Sequence, residues 1–502
     1  MQLLDLITIF IFALGIVIMG LSFSGKGRNM KSFFAAGGAV PWAMSGLSLF
    51  MGFFSAGTFV VWGSIAYSLG WIAISIQWTM AIAGFVVGFF IAPRWHKTSA
   101  LTVAEYITRR LGVNTQKTYT YLFLFISLFT TGSFLYPVAK IVEVSTGMPL
   151  DLCILLLGGF CIVYVAAGGL WAVVSTDVLQ FIILTAAVLI VVPLSFGRVG
   201  GVVNFIESIP ATYFNLVNGE YTIGFIIAFG VYNAIFLGGN WAYVQRYASV
   251  NSQSSARKVG FLFGGLYVVS AVLWMLPPMI YRIVNPSLST IDAEGAYLMM
   301  CKEVLPAGLL GLMLSGMVFA TASSLNATLN ISSGVVTNDI FKRLFPQSSD
   351  KTLMRVARIS TIIFGLLAII VALLIPLMGG IVNVVISVAA LTGVPLYLPI
   401  IWTLFSKRQT EYSVITTTLV SLGANAFFKF ITPLWGFGFN RAEEMIVGVA
   451  FPVFCLIAFE LYYKLNHKIS HRYVEYQEWE KENNLSLIQI SEPTRLLSIS
   501  YA

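Results

Sequence analysis

Met51-Gly52-Phe53-Phe54-Ser55-Ala56-Gly57-Thr58 falls inside one long apolar run of this chain, and Phe236-Leu237-Gly238-Gly239-Asn240 falls inside another. Glycine lowers the cost of leaving helical geometry. A helix broken within a bilayer frees backbone carbonyls where water is absent, so they need partners from protein or from a cation. Matched interruptions in two halves of a hydrophobic chain point to a midplane transport site. Taken alone, either segment also reads as small residues that let helices pack closely.

Around these segments the sequence is that of a membrane protein. Of 502 residues, 58% are hydrophobic and 10% charged, whereas a soluble domain carries about 25% charged residues. Apolar runs of about 20 residues recur, each long enough to cross a hydrocarbon core. They are not the alternating ten-residue signals of a barrel. The spans read as 3–22, 41–68, 71–93, 118–142, 149–168, 171–196, 221–245, 257–283, 305–333, 352–376, 380–404, 411–432 and 443–463. The expected fold is therefore an all-α polytopic membrane protein with thirteen transmembrane helices. The first run carries Asp5, lacks a basic n-region and a cleavage site, and reads as a retained span.

Charge sets the orientation. With the N-terminus outside, only six of the 29 Lys and Arg residues (Lys140, Arg198, Arg282, Lys302, Lys429 and Arg441) face outward, as the positive-inside rule requires. The net charge of +8 is thus topological and no sign of nucleic acid. The C-terminus lies in the cytoplasm, and the mixed-charge tail after about residue 465 reads as cytosolic and partly disordered. The expected location is the cell membrane.

Removing the first span and the last two leaves ten that divide into two sets of five, 41–196 and 221–404. An odd number per set inverts the second against the first. Around them lie an N-terminal helix and loop (1–40), an external loop (197–220), two additional helices (405–464) and the polar tail (465–502).

Several chemistries are poorly served. The three histidines, His96, His467 and His471, fall in polar segments, so no intramembrane cluster binds metal or relays protons. The chain lacks the G-x-x-x-x-G-K-[ST] phosphate loop, and the four cysteines form no Cys-x-x-Cys pair. No enzyme is expected and no cofactor. Asp177 is the one acid well inside a span, where an ionisable group is costly and a function is the default; the bland alternative is that, about two turns from the cytosolic end, it is solvated there or satisfied by neighbouring hydroxyls.

Ala320, Ser323 and Ser324 in Ala320-Thr321-Ala322-Ser323-Ser324 share one helix face at i, i+3 and i+4. Alone, such a run is more often packing or back-bonding hydroxyls. A dehydrated alkali cation, however, wants several neutral oxygens. Sodium coupling uses carbonyls and hydroxyls already present, whereas proton coupling has only Asp177. One Na⁺ descending about 100 mV releases about 2.3 kcal/mol, and a tenfold gradient adds about 1.4.

The chain resembles the sodium/solute symporter family, which includes bacterial sodium/galactose and sodium/proline carriers. The match covers roughly residues 1 to 430. It is carried in order by Phe33-Phe34-Ala35-Ala36-Gly37-Gly38, Pro41-Trp42 through Ser48-Leu49, Ser55-Ala56, Ala167-Gly168-Gly169-Leu170, Ser175-Thr176-Asp177-Val178-Leu179-Gln180, Gln245-Arg246, and the Ser323-Ser324 helix running to Asn338-Asp339-Ile340. The resemblance implies a leucine-transporter-like five-plus-five inverted repeat. It also implies a sodium site made by the carbonyls of Met51, Phe54 and Ala320 and the hydroxyls of Ser323 and Ser324, with Asp177 as the ion-coupling acid. Family members with a second ion carry further serines where this chain has Asn326 and Ala327, so one Na⁺ per cycle is expected.

Thr58, Gln77 and Asn240 stand where the family contacts sugar, and Trp62, Trp78, Trp241 or Tyr243 offer flat faces. These imply a neutral, hydrogen-bonding pocket for a sugar or polyol. Lys140 leaves an organic anion or amino acid as the alternative, and a passive channel or facilitator is the alternative of another class. The expected partners are Na⁺, a small solute and the lipid bilayer.

Overall fold

A computed structural model describes residues 2–24, 40–100, 102–164 and 170–491. The motif segments 33–38 and 167–169 lie outside the described residues. So do the side chains of Ser323, Asn326, Ala327, Ser175, Thr176, Asn338 and Asp339.

Helices account for nearly all of the described chain, as a bilayer demands of backbone it does not hydrate. Among the described residues, each segment read from sequence coincides largely with helix, continuous or broken. Eight helices among the described residues are long and apolar enough to cross a membrane, or nine when one bent pair counts as a span.

In chain order the elements that position the site are α1 (Leu3–Ser24), α2 (Trp42–Met51), α3 (Thr58–Leu69), α4 (Trp71–Lys97), α5 (Val103–Leu111), α6 (Val113–Thr146), α7 (Leu150–Tyr164) and α8 (Leu170–Arg198). The second half supplies α9 (Ile223–Gly239), α10 (Trp241–Ala248), α11 (Gln253–Val284), α12 (Ala296–Val304) and α13 (Leu309–Gly334). It continues with α14 (Asp350–Leu374), α15 (Ile381–Thr403), α16 (Glu411–Trp435), α17 (Arg441–Leu465) and α18 (His471–Ser491).

Both interruptions are present. Helical geometry stops after Met51 and resumes at Ala56, with turn and bend at residues 52–55. The second break is a single residue: Asn240 is extended, at φ −62° and ψ 129°, and α9 and α10 meet at 60°.

The broken helices sit among α4, α8, α11 and α13. Close packing of α4 on α11 depends on glycine: a Cβ at Gly84 would stand 2.7 Å from Gly264 N, and one at Gly260 would stand 2.5 Å from Gly88 Cα. This is the small-residue contact by which membrane helices approach closely.

Within the tail, residues 471–491 form α18, which docks on α5. Tyr476 meets Tyr106 at 5.9 Å, the Arg109 guanidinium lies 4.0 Å from the Trp479 ring, and Lys97 Nζ stands 3.5 Å from Glu480 Oε1. Tyr473, Tyr476 and Trp479 recur at three-residue spacing, which gives an otherwise polar helix one aromatic edge.

Candidate functional site

At the first break the backbone is incompletely paired. Phe50 O accepts from Phe53 N at 2.9 Å and from Phe54 N at 3.0 Å, and Ser55 O accepts from Thr58 N at 3.0 Å. Among the described residues no hydrogen bond reaches the carbonyl of Met51 or of Phe54. Both residues are buried, and buried backbone carbonyls are rarely left without a partner.

The serine-bearing helix lies alongside. Ala56 N–H donates to Thr321 Oγ1 at 3.0 Å, which ties the restart of the broken helix to α13 one residue after Ala320. On α13 the Ser324 hydroxyl is 3.4 Å from Ala320 O. Met51, Ala320 and Ser324 line one cavity of about 80 Å³, together with Ser48, Asp177, Asn240 and Arg246. Phe54 lines neither this cavity nor its neighbour, and its ring stacks on Trp274 at 4.8 Å. The neutral oxygens gathered here are of the kind a dehydrated alkali cation accepts, and that of Met51 has no hydrogen bond among the described residues.

Asp177 is 3% exposed, and its Oδ2 accepts from the Ser48 hydroxyl at 2.6 Å, joining α8 to α2. Across the same cavity lies Arg246, near enough to interact electrostatically with Asp177. Arg246, just beyond the span read as 221–245, is expected from its position to be solvated on the inner side, but it is buried. It is fixed by Nη1 donating to Ala242 O at 3.1 Å, while its carbonyl accepts from Ser45 Oγ at 2.8 Å. Its place on α10, immediately after the second break, is the signal that could have found it.

A second cavity, of about 170 Å³, adjoins the first. Gly52, Phe134, Phe236, Tyr243 and Tyr397 border both. Four of these are aromatic, with Phe236 at 5.5 Å from Tyr243 and 5.9 Å from Tyr397. This wall comes from four separate helices, and only Tyr243 of it is expected from the sequence as a flat face.

Thr58 and Gln77 line the second cavity and Asn240 the first, so the three residues matched to sugar contacts are divided by the aromatic wall. The Thr58 hydroxyl donates to Phe53 O. Gln77 is 2% exposed and its Nε2 has no partner among the described residues, a donor held ready at a cavity. Asn240 reaches the wall, with Nδ2 3.4 Å from Tyr397 Oη. Thr130, Ser133 and Thr392 add hydroxyls, and no charged side chain is among the described residues that line this cavity.

Of the four residues expected to offer flat faces, Trp62 and Tyr243 line the second cavity. Trp241 instead stacks on Phe123 at 4.5 Å, and Trp78 donates to Val268 O at 3.1 Å. Lys140 lines neither cavity and pairs with Glu143 at 2.9 Å. Near it is a buried acid of the loop before α12, Glu294, which accepts from Tyr136 Oη at 2.8 Å and Ile381 N at 2.9 Å. Burial pushes the Glu294 carboxyl above the ordinary glutamate value.

The sequence model described as the sodium:solute symporter family matches residues 33–420. A sodium/glucose cotransporter of Vibrio parahaemolyticus is 28% identical over 472 residues, covering 85% of this chain and 86% of that protein. Sodium/myo-inositol cotransporter 2 of Sus scrofa is 27% identical over 469 residues, covering 83% and 68%. Among solved structures, a Na⁺-coupled sialic acid symporter in a substrate-bound outward-open state superposes with a TM-score of 0.77 at 21% identity, covering 92% of this chain and 98% of that one. The nucleobase-cation-symport-1 transporter Mhp1 superposes at 0.54 and 14% identity, covering 90% and 99%. At these identities the superpositions establish a shared transporter fold.

Proposed function

The chain belongs to the sodium:solute symporter family, and from that premise we propose that it takes up a small neutral solute, a sugar or polyol, by sodium-coupled symport with alternating access. One Na⁺ binds to the carbonyls of Met51, Phe54 and Ala320 and the hydroxyls of Ser323 and Ser324. Asp177 is the acid that couples ion release to the transport cycle. The observation that carries this reading is the pair of carbonyls at the first break that have no hydrogen bond among the described residues, beside a helix whose oxygens share a cavity with Met51.

The solute occupies the second cavity, with Thr58 and Gln77 as direct hydrogen-bonding partners and Asn240 acting at the wall. Support for a neutral, hydroxylated solute comes from the uncharged lining, the ready donor of Gln77 and the flat faces around it. The relatives named for glucose and myo-inositol point the same way. Pairing of Lys140 with Glu143, away from both cavities, weakens the case for an anion.

The proposed architecture has thirteen spans. The eight long helices, the bent α9–α10 pair, the interrupted α2–α3 pair and the three shorter apolar helices Leu3–Gly15, Leu150–Gly159 and Leu309–Ala322 make up that number. Two inverted repeats, 41–196 and 221–404, are flanked by one helix before and two after, with the N-terminus outside and the C-terminus in the cytoplasm.

The test is uptake of labelled sugars and polyols into proteoliposomes under an inward sodium gradient or an equal potassium gradient. Accumulation with sodium alone is expected. Equal flux with either cation would make the protein a facilitator and overturn coupling.

A further inference from the structure

Asp5 is an acid at the start of an apolar helix, yet only 1% of its surface is exposed. Its Oδ1 accepts from Gly308 N at 2.7 Å and Gly311 N at 3.1 Å, its Oδ2 accepts from Gln2 N at 2.8 Å, and Thr8 Oγ1 donates to its carbonyl at 2.9 Å. Gly308 and Gly311 are at the N-terminus of α13, where helix N–H groups lack intrahelical partners and the dipole favours an anion. A cap is usually local, but this one comes from another helix about 300 residues away in sequence. We propose that Asp5 is a positioning residue for the ion seat: by capping α13 from α1 it fixes the lengthwise register of the helix that presents Ala320 and Ser324. This rests on the sodium site proposed above.

Three observations lift this beyond helix capping. First, contact between α1 and α13 is close enough that a Cβ at Gly311 would fall 2.3 Å from Asp5 O and 2.4 Å from Thr8 Oγ1, so glycine is required there. Second, α1 follows α13 toward the seat. Phe12 meets Phe319, the residue before Ala320, at 5.8 Å. Third, Leu179 and Ile183 of α8 pack on that same aromatic pair. The helix outside the two repeats therefore touches both the helix carrying Ala320 and Ser324 and the helix carrying Asp177. Gly311 and Ala320 are nine residues apart, about 14 Å along a rigid helix at 1.5 Å per residue. A slip at the capped end is thus transmitted to the seat nearly undiminished. A buried carboxylate is tolerated when its hydrogen bonds are made, so its removal both frees two N–H groups and loosens the register.

The experiment is a sodium titration of purified full-length protein, read by intrinsic tryptophan fluorescence, alongside sodium-driven uptake and melting temperature in sodium-free buffer. Ser324→Ala serves as the control for the seat itself. Asp5→Ala is expected to raise the half-saturating sodium concentration about fivefold, equivalent to about 1 kcal/mol, the usual worth of a cap. The solute dissociation constant at saturating sodium should stay within about twofold. Asp5→Asn keeps an acceptor and should recover most of the sodium affinity. Should Asp5→Ala fail to accumulate, Phe12→Leu carries the test through the contact beside the seat, with an expected rise of about twofold. Unaltered half-saturating sodium, even with a lowered melting temperature, would reduce α1 to an anchor and overturn the proposal. If Ser324→Ala also leaves the titration unmoved, the seat itself is wrong; if Ser324→Ala shifts it and the α1 variants do not, only the positioning role fails.

Discussion

The two breaks look alike in sequence and are finished differently. At the second, the carbonyls of Phe236, Leu237, Gly238 and Asn240 all have partners within the protein, and among the described residues that of Gly239 alone has none. Gly238 O accepts from Trp95 Nε1 at 2.6 Å, Leu237 O from Tyr247 Oη at 3.2 Å, and Asn240 Oδ1 accepts from Ala242 N at 3.0 Å. Its glycines are also packed: a Cβ at Gly239 would stand 2.7 Å from Tyr397 Cβ. At the first break, among the described residues, the carbonyls of Met51 and Phe54 have no hydrogen bonds, and a Cβ at Gly57 would meet nothing closer than Ser55 Oγ at 3.6 Å. A satisfied break is a fixed bend. An unsatisfied one offers oxygens to an ion, and the difference supports the proposal that sodium binds at the first.

The sharpest way to break this contrast is to remove an oxygen beside the first break. Ser324→Ala is expected to raise half-saturating sodium for uptake by about tenfold or more, about 1.4 kcal/mol, with membrane insertion intact; Asp177→Asn should act in the same direction. Gln77→Ala comes next. Solute affinity measured at saturating sodium should fall about fivefold, in keeping with the loss of one buried hydrogen bond, while sodium affinity moves less. Thr58→Ala should follow the same pattern more weakly, because its hydroxyl proton is already committed to Phe53 O.

At the second break Trp95→Phe removes the bond to Gly238 O. About 1 kcal/mol of stability should be lost, seen as a lower melting temperature, with half-saturating sodium unchanged within about twofold. A large sodium effect there would erase the distinction between the breaks.

The smallest effect lies away from both. Because burial raises the Glu294 carboxyl above its ordinary value of 4.5, the folded state binds that proton more readily than the unfolded chain. Stability from this group is therefore greatest below that value and declines as pH rises through the window above it. Melting curves across that window should slope downward in the wild type and flatten in Glu294→Gln.

Much of this was legible in the sequence because the signals are local. Gly52, Gly57, Gly238 and Gly239 flag the two interruptions because they fall at matched places in the two halves, and Ala320 and Ser324 share a face by spacing alone. What the sequence concealed is how distant helices meet. The wall of Phe134, Phe236, Tyr243 and Tyr397 that separates Asn240 from Thr58 and Gln77 has no linear pattern. Arg246 and Arg110 read as loop cations because charge near a span end is usually solvated. Arg110 instead is buried, with Nη2 donating to Ser406 O at 3.0 Å and Gln409 O at 3.3 Å. The aromatic edge of α18 was hidden in a charged tail, since its partners lie on α5, more than 350 residues earlier in the sequence.

The most direct test is equilibrium binding of sodium, without solute or membrane potential, to the wild type and to Ser324→Ala. Saturable binding in the wild type that is weakened about tenfold in the variant is the predicted result. Superimposable binding curves would contradict the account, for they would mean that the open carbonyls at residues 51 and 54 and the serine beside them do not hold the ion.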